Sequence, residues 1–165
     1  MTVRQPTPRL ALVVSRFNEE ITSGLLRGAR AHLAEQGAPV AEEDVVSAAG
    51  AFELPIVAQA LARTRRYDGI VCLGCVIKGD TAHFEFISLG ASVGLMSAAL
   101  ATETPIAFGL LTTYSDEQAE ARSRDDGHNE GREAAAACLE TALLLQRFGV
   151  HDSLLKASVY GVVKW

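Results

Sequence analysis

Several features that mark particular classes of protein are scarce or missing in this chain of 165 residues. No stretch approaches the roughly 20 consecutive apolar residues that span a bilayer, and residues 1–9 carry two prolines and two arginines rather than the apolar segment of a secretory signal. Fifteen Lys and Arg against 20 Asp and Glu give a net charge of −5, which argues against sequence-independent nucleic-acid binding. Neither G-x-G-x-x-G nor G-x-x-x-x-G-K-[ST] occurs, so nothing supports a dinucleotide or nucleoside-triphosphate site. We therefore expect a soluble, cytoplasmic protein without nucleic-acid or membrane partners.

Cysteine is also scarce, and its three positions predict free thiols in a reducing compartment. Cys72 and Cys75 have the C-x-x-C spacing of zinc and redox sites. They lie, however, in an apolar run that predicts a buried strand, where side chains three positions apart point to opposite faces. No second cysteine pair completes a four-ligand site. We interpret both as packing residues and expect no metal.

What the sequence does contain is an alternation of apolar runs and helical patterns. Hydrophobic residues make up 48% and charged residues 21%, as in a packed globule. Nearly continuous Val, Ile and Leu predict parallel strands covered on both faces, at residues 10–14, 45–48, 70–77 and 106–111. Helical patterns lie at residues 18–37, 55–66, 83–101, 116–122 and 133–147. The order predicts one α/β domain with helices on both faces of a four-stranded parallel sheet.

Residues with chemical function follow the predicted strands. In open α/β sheets, ligands bind outside the carboxyl ends of the strands. Phe17 and Phe52 are suited to stacking, Glu53 supplies a carboxylate, and His83 supplies an imidazole. Their convergence predicts a small-molecule site at this edge, although core packing is the alternative for both rings.

The turn Gly79-Asp80-Thr81 precedes a predicted helix, where unpaired backbone N–H groups could hold an anion such as phosphate. Ordinary capping of the helix by Asp80 or Thr81 explains the same residues. His83, beside this turn, is suited to proton transfer. A surface or core histidine is the alternative.

Taken together, five ordered motifs resemble the 6,7-dimethyl-8-ribityllumazine synthase family over roughly residues 9–148. The motifs are Phe17-Asn18 with Ile21-Thr22, residues 50–55, residues 76–85, residues 108–113, and residues 117–119 leading to Arg122. The resemblance implies a flavodoxin-like fold of three layers, αβα, in a single domain over residues 1–165. Residues 1–9 are then an N-terminal arm, and residues 150–165 are a tail that has no assigned place.

The resemblance also implies a reaction. 5-Amino-6-(D-ribitylamino)uracil would condense with 3,4-dihydroxy-2-butanone 4-phosphate to give 6,7-dimethyl-8-ribityllumazine, phosphate and water, the penultimate step of riboflavin synthesis, without a metal or an organic cofactor. The family forms pentamers, paired pentamers or 60-subunit shells whose active sites lie between subunits. Riboflavin synthase is a further candidate partner.

The family's site residues match positions of this chain. His83 matches the proton-transfer residue, which we take as catalytic. Asp80 and Thr81 match the turn that receives the phosphate, and Arg122 matches its cationic partner. The residues that match the ribitylaminouracil site are Phe17, Ala51, Phe52, Glu53, Cys75, Val76, Ile77 and, from the adjacent subunit, Phe108.

One residue departs from the family pattern. Glu130 stands where many members have lysine, which exchanges a cation near the expected anion site for an anion. A non-catalytic member that binds ribityl compounds or forms shells is therefore the alternative function, and riboflavin synthase on the same fold is a second enzyme alternative.

A stripe of small residues on the third helix, including Gly90 and Gly94, also needs explanation, because glycine destabilises a helix interior. The resemblance favours close approach of a neighbouring subunit at this stripe. Contact within the same chain is the alternative.

Overall fold

A computed structural model describes residues 6–149 of the chain. A parallel sheet in the order β2-β1-β3-β4 forms its centre. The strands are β1 (Leu10–Ser15), β2 (Val45–Ala48), β3 (Gly69–Ile77) and β4 (Ile106–Thr113). The helices are α1 (Glu19–Glu35), α2 (Leu54–Arg63), α3 (His83–Thr102), α4 (Asp116–Ser123) and α5 (Glu130–Arg147). The predicted α/β class and parallel sheet are confirmed, whereas the tail at residues 150–165 and residues 1–5 of the predicted N-terminal arm lie outside the described residues.

Two hydrophobic clusters, one on each face of the sheet, give the domain its three layers. On one face, Leu25 and Leu33 of α1 pack with Ala135 and Leu139 of α5. On the other, Leu54 of α2 and Leu95 of α3 belong to the second cluster. Because both faces are covered, the central strand β3 is buried along most of its length, which explains why it reads as an unbroken apolar run.

The C-x-x-C cysteines lie on opposite faces of β3, as predicted. Cys72 belongs to the cluster beneath α2 and α3, whereas Cys75 belongs to the cluster beneath α1 and α5. All three cysteines are buried free thiols. Burial raises the pKa of Cys75 to about 11 and that of Cys138 to about 12, so these sulfurs stay protonated at neutral pH.

The last helix begins at Glu130, three residues before its predicted start. Its N-cap is Asn129, which is fully buried. The Asn129 Oδ1 atom accepts a hydrogen bond from the Arg132 N–H at 3.1 Å, while its Nδ2 donates to the carbonyls of Gly24 at 3.1 Å and Arg124 at 2.8 Å. A single side chain therefore joins α1, the end of α4 and the start of α5.

The expected role of Gly90 and Gly94 in α3 is wrong. A methyl group at Gly94 would lie 2.8 Å from Cβ and Cγ of Pro55, and one at Gly90 would lie 2.8 Å from Cε2 of Phe52. Gly94 therefore faces the first turn of α2, and Gly90 faces the turn just before α2, both in the same chain. They leave room for that contact rather than for a neighbouring subunit.

A different face of α3 is exposed. Large apolar side chains recur along it at alternating spacings of three and four residues, each more than half exposed: Phe86, Leu89, Val93, Met96 and Leu100. We call this row the α3 stripe. Within residues 6–149, α3 is also the one helix long and apolar enough to cross a membrane, judged by length and composition alone.

Candidate active site

A cleft of about 410 Å³ opens at the carboxyl ends of β1, β2 and β3. The sheet order places the switch point, where successive connections diverge, between β1 and β3, and open α/β sheets bind ligands at that point. Eight of the predicted site residues line the cleft: Phe17, Ala51, Phe52, Glu53, Cys75, Val76, Ile77 and His83. Side chains from three separate strand ends therefore meet in one place.

The two predicted stacking rings are exposed rather than buried in the core. Phe17 is 70% exposed and Phe52 is 58% exposed. Gly50 gives room for the neighbouring side chains, because a methyl group there would lie 3.0 Å from Glu53 Oε2 and 3.4 Å from Phe17 Cδ2. The core alternative for the two rings is thus wrong, and both rings are open to a planar ligand.

Asn18 ties two walls of the cleft together. It precedes α1 in the left-handed conformation, with φ of 54°, and its side chain makes no capping bond. Its Nδ2 instead donates a hydrogen bond to the carbonyl of Cys75 at 3.0 Å. Asparagine tolerates this backbone conformation better than most residues. Asn18 belongs to one of the family motifs, but this role could not be predicted from the sequence, since the bond crosses 57 positions of the chain.

His83 is the first residue of α3 and is exposed at the cleft. Its backbone N–H lies 3.4 Å from the Thr81 hydroxyl, which accepts from it. Asp80 and Thr81 are also exposed, in the turn just before the helix. Among residues 6–149, the backbone N–H groups of Gly79, Asp80 and Thr81 have no protein acceptor, so the turn can receive an anion.

Arg122 and Phe108 lie outside the cleft of their own chain. Arg122 lines a separate cavity of about 430 Å³ beside β4, together with Glu130. Its Nη1 donates to the carbonyl of Gln118 at 2.9 Å. Phe108 is 46% exposed on the edge strand β4. One chain therefore carries two parts of the predicted site on separate surfaces.

The chemistry of the cleft follows from its lining. Cys75 is protonated, so it offers backbone groups and bulk rather than a thiolate. No three His, Cys, Asp or Glu side chains within residues 6–149 are grouped so that they could hold a metal ion. The lining combines stacking rings, one carboxylate and one imidazole, which suits a polar, planar ligand and proton transfer.

Comparison with known proteins identifies what the chain resembles. The family model described as 6,7-dimethyl-8-ribityllumazine synthase matches residues 7–146. The chain is 70% identical over 140 residues to 6,7-dimethyl-8-ribityllumazine synthase 1 of Caulobacter vibrioides, covering 85% of this chain and 92% of that protein. It is 47% identical over 139 residues to the 6,7-dimethyl-8-ribityllumazine synthase of Salinibacter ruber, covering 84% and 89%. The synthase of the same name from Lactiplantibacillus plantarum is 40% identical over 151 residues, covering 92% and 91%.

Proposed function

The chain belongs to the 6,7-dimethyl-8-ribityllumazine synthase family, and from this premise we propose that the cleft at the ends of β1, β2 and β3 is its active site. The protein is a transferase of riboflavin biosynthesis that condenses 5-amino-6-(D-ribitylamino)uracil with 3,4-dihydroxy-2-butanone 4-phosphate. The products are 6,7-dimethyl-8-ribityllumazine, phosphate and water. The observation that carries the site assignment is the meeting of eight predicted residues in one cleft.

The pyrimidine binds between aromatic and backbone groups of the cleft in this proposal. Phe17 stacks on the ring, since its face is open to the cleft. Ala51, Phe52 and Glu53 hold the ribityl chain, with the Glu53 carboxylate accepting hydrogen bonds from its hydroxyls. Backbone groups on the β1 side of residues 75–77 complete the contact, because β1 pairs with β3 only as far as Leu73.

His83 moves protons during the reaction. The amine of the pyrimidine attacks the ketone, phosphate is eliminated, and ring closure with dehydration follows. Each of these steps transfers protons, and an imidazole can both accept and donate them. The exposure of His83 at the cleft supports this role.

The phosphate group of the second substrate binds at the turn of Asp80 and Thr81, whose backbone N–H groups are free to donate. Arg122 supplies the countercharge from the adjacent subunit. What supports a second subunit is the position of Arg122, which lines a cavity apart from the cleft of its own chain. Glu130 lines that same cavity, so its negative charge opposes binding of the phosphate group.

We propose a homopentamer or a multiple of it as the active assembly. The α3 stripe supports this, because apolar residues that alternate at three and four positions form the seam along which helices associate. A subunit contact at the stripe also explains why a helix as long as α3 carries large apolar side chains on an exposed face. The active site is then completed by Phe108 and Arg122 of a neighbour.

We also propose that the protein is located in the cytoplasm. Its three cysteines are free thiols, which fit a reducing compartment.

The test is to incubate the purified protein with both substrates and to follow lumazine by its absorbance. Product formation supports the synthase, whereas binding of the pyrimidine without turnover supports the non-catalytic alternative. Conversion of added lumazine to riboflavin would instead indicate riboflavin synthase activity. No organic cofactor or metal is added to the assay.

Arg122→Ala tests the phosphate assignment in the same assay. We expect the KM of the butanone phosphate to rise by about 10-fold or more, since a charge-assisted hydrogen bond is worth roughly 1.5–3 kcal/mol. The KM of the pyrimidine should stay nearly unchanged. An equal rise in both constants contradicts the assignment.

A further inference from the structure

The turn that is proposed to receive the phosphate is held weakly by its own residues. Positions 79–83 are all exposed, and a methyl group at Gly79 would meet nothing within 4 Å. The N–H groups of residues 79–81 donate to no acceptor within residues 6–149. A turn that must bind an anion with these groups therefore depends on its flanking residues for its position.

Lys78 and Glu85 connect the two flanks of this turn. The backbone N–H of Lys78 donates to the Thr113 carbonyl at 2.9 Å, which fixes its main chain to the end of β4. Its ammonium Nζ lies 3.0 Å from Glu85 Oε1, and Glu85 belongs to the first turn of α3. The ion pair thus spans the turn from the end of β3 to the start of the helix.

Two aromatic rings hold the same ammonium group. The Lys78 Nζ lies 5.9 Å from the centroid of the Phe84 ring and 5.5 Å from that of Tyr114. The two rings also contact each other, with centroids 5.9 Å apart and planes inclined at 40°. Cation–π attraction at these distances restricts where the ammonium can lie. Tyr114 directly follows β4, so the cluster joins β3, α3 and β4.

We propose that Lys78, paired with Glu85 and clasped by Phe84 and Tyr114, is a positioning residue for the phosphate-binding turn and for His83. This inference rests on the proposed function of that turn. The ion pair and the rings hold the two flanks of residues 79–82 at a set separation, so that the N–H groups and the imidazole face the substrate together. Small displacements of such groups lower the rate of reaction steeply.

Direct binding of phosphate by Lys78 is the competing explanation. The two explanations predict opposite effects on phosphate binding when the Glu85 carboxylate is removed. Glu85 holds the ammonium in an ion pair, and that contact lowers the pKa of the Glu85 carboxyl. If Lys78 bound phosphate directly, Glu85 would compete with the substrate, and its removal would tighten phosphate binding. If Lys78 positions the turn, removal of Glu85 loosens the turn and weakens binding.

The experiment compares Lys78→Met, Glu85→Gln and the double variant in the lumazine assay. Each single variant should lower kcat/KM for the butanone phosphate by about 10-fold, with KM for the pyrimidine nearly unchanged. The double variant should be little worse than either single one, because both remove the same contact. Lys78→Arg should restore most of the activity, since guanidinium keeps both the ion pair and the cation–π contacts.

The control is Arg30→Met, which breaks a comparable exposed pair, Arg30 Nη2 to Glu42 Oε1 at 2.5 Å, beyond the other end of the sheet. It should leave both KM values unchanged. The thermal midpoint of every variant should match the parent, since exposed ion pairs contribute little to global stability. A lower KM for the phosphate substrate in Glu85→Gln, additive losses in the double variant, or unchanged kinetics in Lys78→Met would each overturn the inference. A parent enzyme that forms no lumazine contradicts the proposed function instead.

Discussion

The two ends of the parallel sheet are built in opposite ways. At the amino end, Asp44 is 3% exposed and accepts hydrogen bonds from Arg9 Nε at 3.0 Å, Arg9 Nη2 at 2.7 Å and the Tyr67 hydroxyl at 2.8 Å. At the carboxyl end, Phe17 and His83 are exposed around a cleft. One end satisfies a buried charge within the chain, and the other leaves rings and N–H groups free.

The difference separates stability from function. Buried polar groups stabilise a fold when every donor and acceptor is paired, as around Asp44. A binding site needs the reverse, because groups that are already paired are not free to hold a ligand. The cleft at the ends of β1, β2 and β3 also lacks Phe108 and Arg122 of its own chain, so we expect it to work only in the proposed assembly. Variants at the two ends should therefore affect different measurements.

The largest effect is expected from Val93→Asp, at the centre of the α3 stripe. An unpaired carboxylate buried between subunits costs several kcal/mol, so the assembly should dissociate. Activity should fall to background, since in the proposed pentamer each cleft would lose the residues supplied by a neighbour, while circular dichroism stays unchanged. Size-exclusion chromatography with light scattering, run beside the lumazine assay, measures both, and Val93→Leu serves as the conservative control. A fully active monomer contradicts the shared site.

His83→Ala, at the carboxyl end of the sheet, should lower the reaction rate without changing stability. General acid–base residues typically contribute 10²–10⁴-fold to rate, and we expect about 10- to 100-fold here, because condensation of an amine with a ketone proceeds in part unaided and the enzyme already holds both substrates together. The free energy of unfolding should not change, since the side chain is exposed. Rates measured across pH test this prediction, and an unchanged profile would exclude proton transfer by His83.

Asp44→Asn should lower stability without changing the active site. We expect a loss of about 1–3 kcal/mol in the free energy of unfolding, because the buried bonds to Arg9 and Tyr67 are weakened. Activity per folded enzyme should stay unchanged. The Arg9 guanidinium, ahead of the Tyr67 hydroxyl, holds the pKa of Asp44 below its ordinary value. A lowered pKa in the folded state stabilises the protein above the ordinary aspartate pKa of about 4, and this contribution is lost as pH falls through the lower, folded value.

Denaturant unfolding from pH 7 down to pH 3 checks this linkage. The parent should lose stability more steeply than Asp44→Asn at the acid end, so that the two curves converge. Parallel curves would show that Asp44 contributes no charge-dependent stability. A loss of activity at full folding would instead show that the two ends of the sheet are coupled.

The smallest expected effect is on the reactivity of the three thiols, which are buried between the two ends of the sheet. Burial raises the pKa of Cys75 to about 11 and of Cys138 to about 12, and it also raises that of Cys72. A chromogenic thiol reagent at pH 7 should therefore label none of them in the folded protein and all three in denaturant. Rapid labelling of Cys75 alone would show that the cleft opens down to β3.

Much of the fold could be predicted from the sequence, because its signals are local. Runs of Val, Ile and Leu marked all four strands, and Pro55 and Gly37 marked helix ends, with Pro55 in the first turn of α2 and Gly37 at φ of 73° after α1. Phe17, Phe52, Glu53 and His83 could be placed at strand ends for the same reason, whereas the family resemblance was needed to assign the other four residues of the cleft, Ala51, Cys75, Val76 and Ile77. Parallel strands then bring those ends to one edge, whichever strands are neighbours.

Contacts between distant parts of the chain were decided only by the tertiary structure. The helix α3 is apolar on more than one face, so its pattern could not show that Gly94 meets Pro55 of the same chain while Val93 stays exposed. The N-cap residue of α5, Asn129, is held by a bond to Gly24, 105 positions away in the chain. The contacts of Lys78 with the Phe84 and Tyr114 rings form only because the end of β4 lies beside α3. The physical reason is one of range: residue periodicity records which face of an element is buried, whereas packing partners follow from how all the elements fill the space between them.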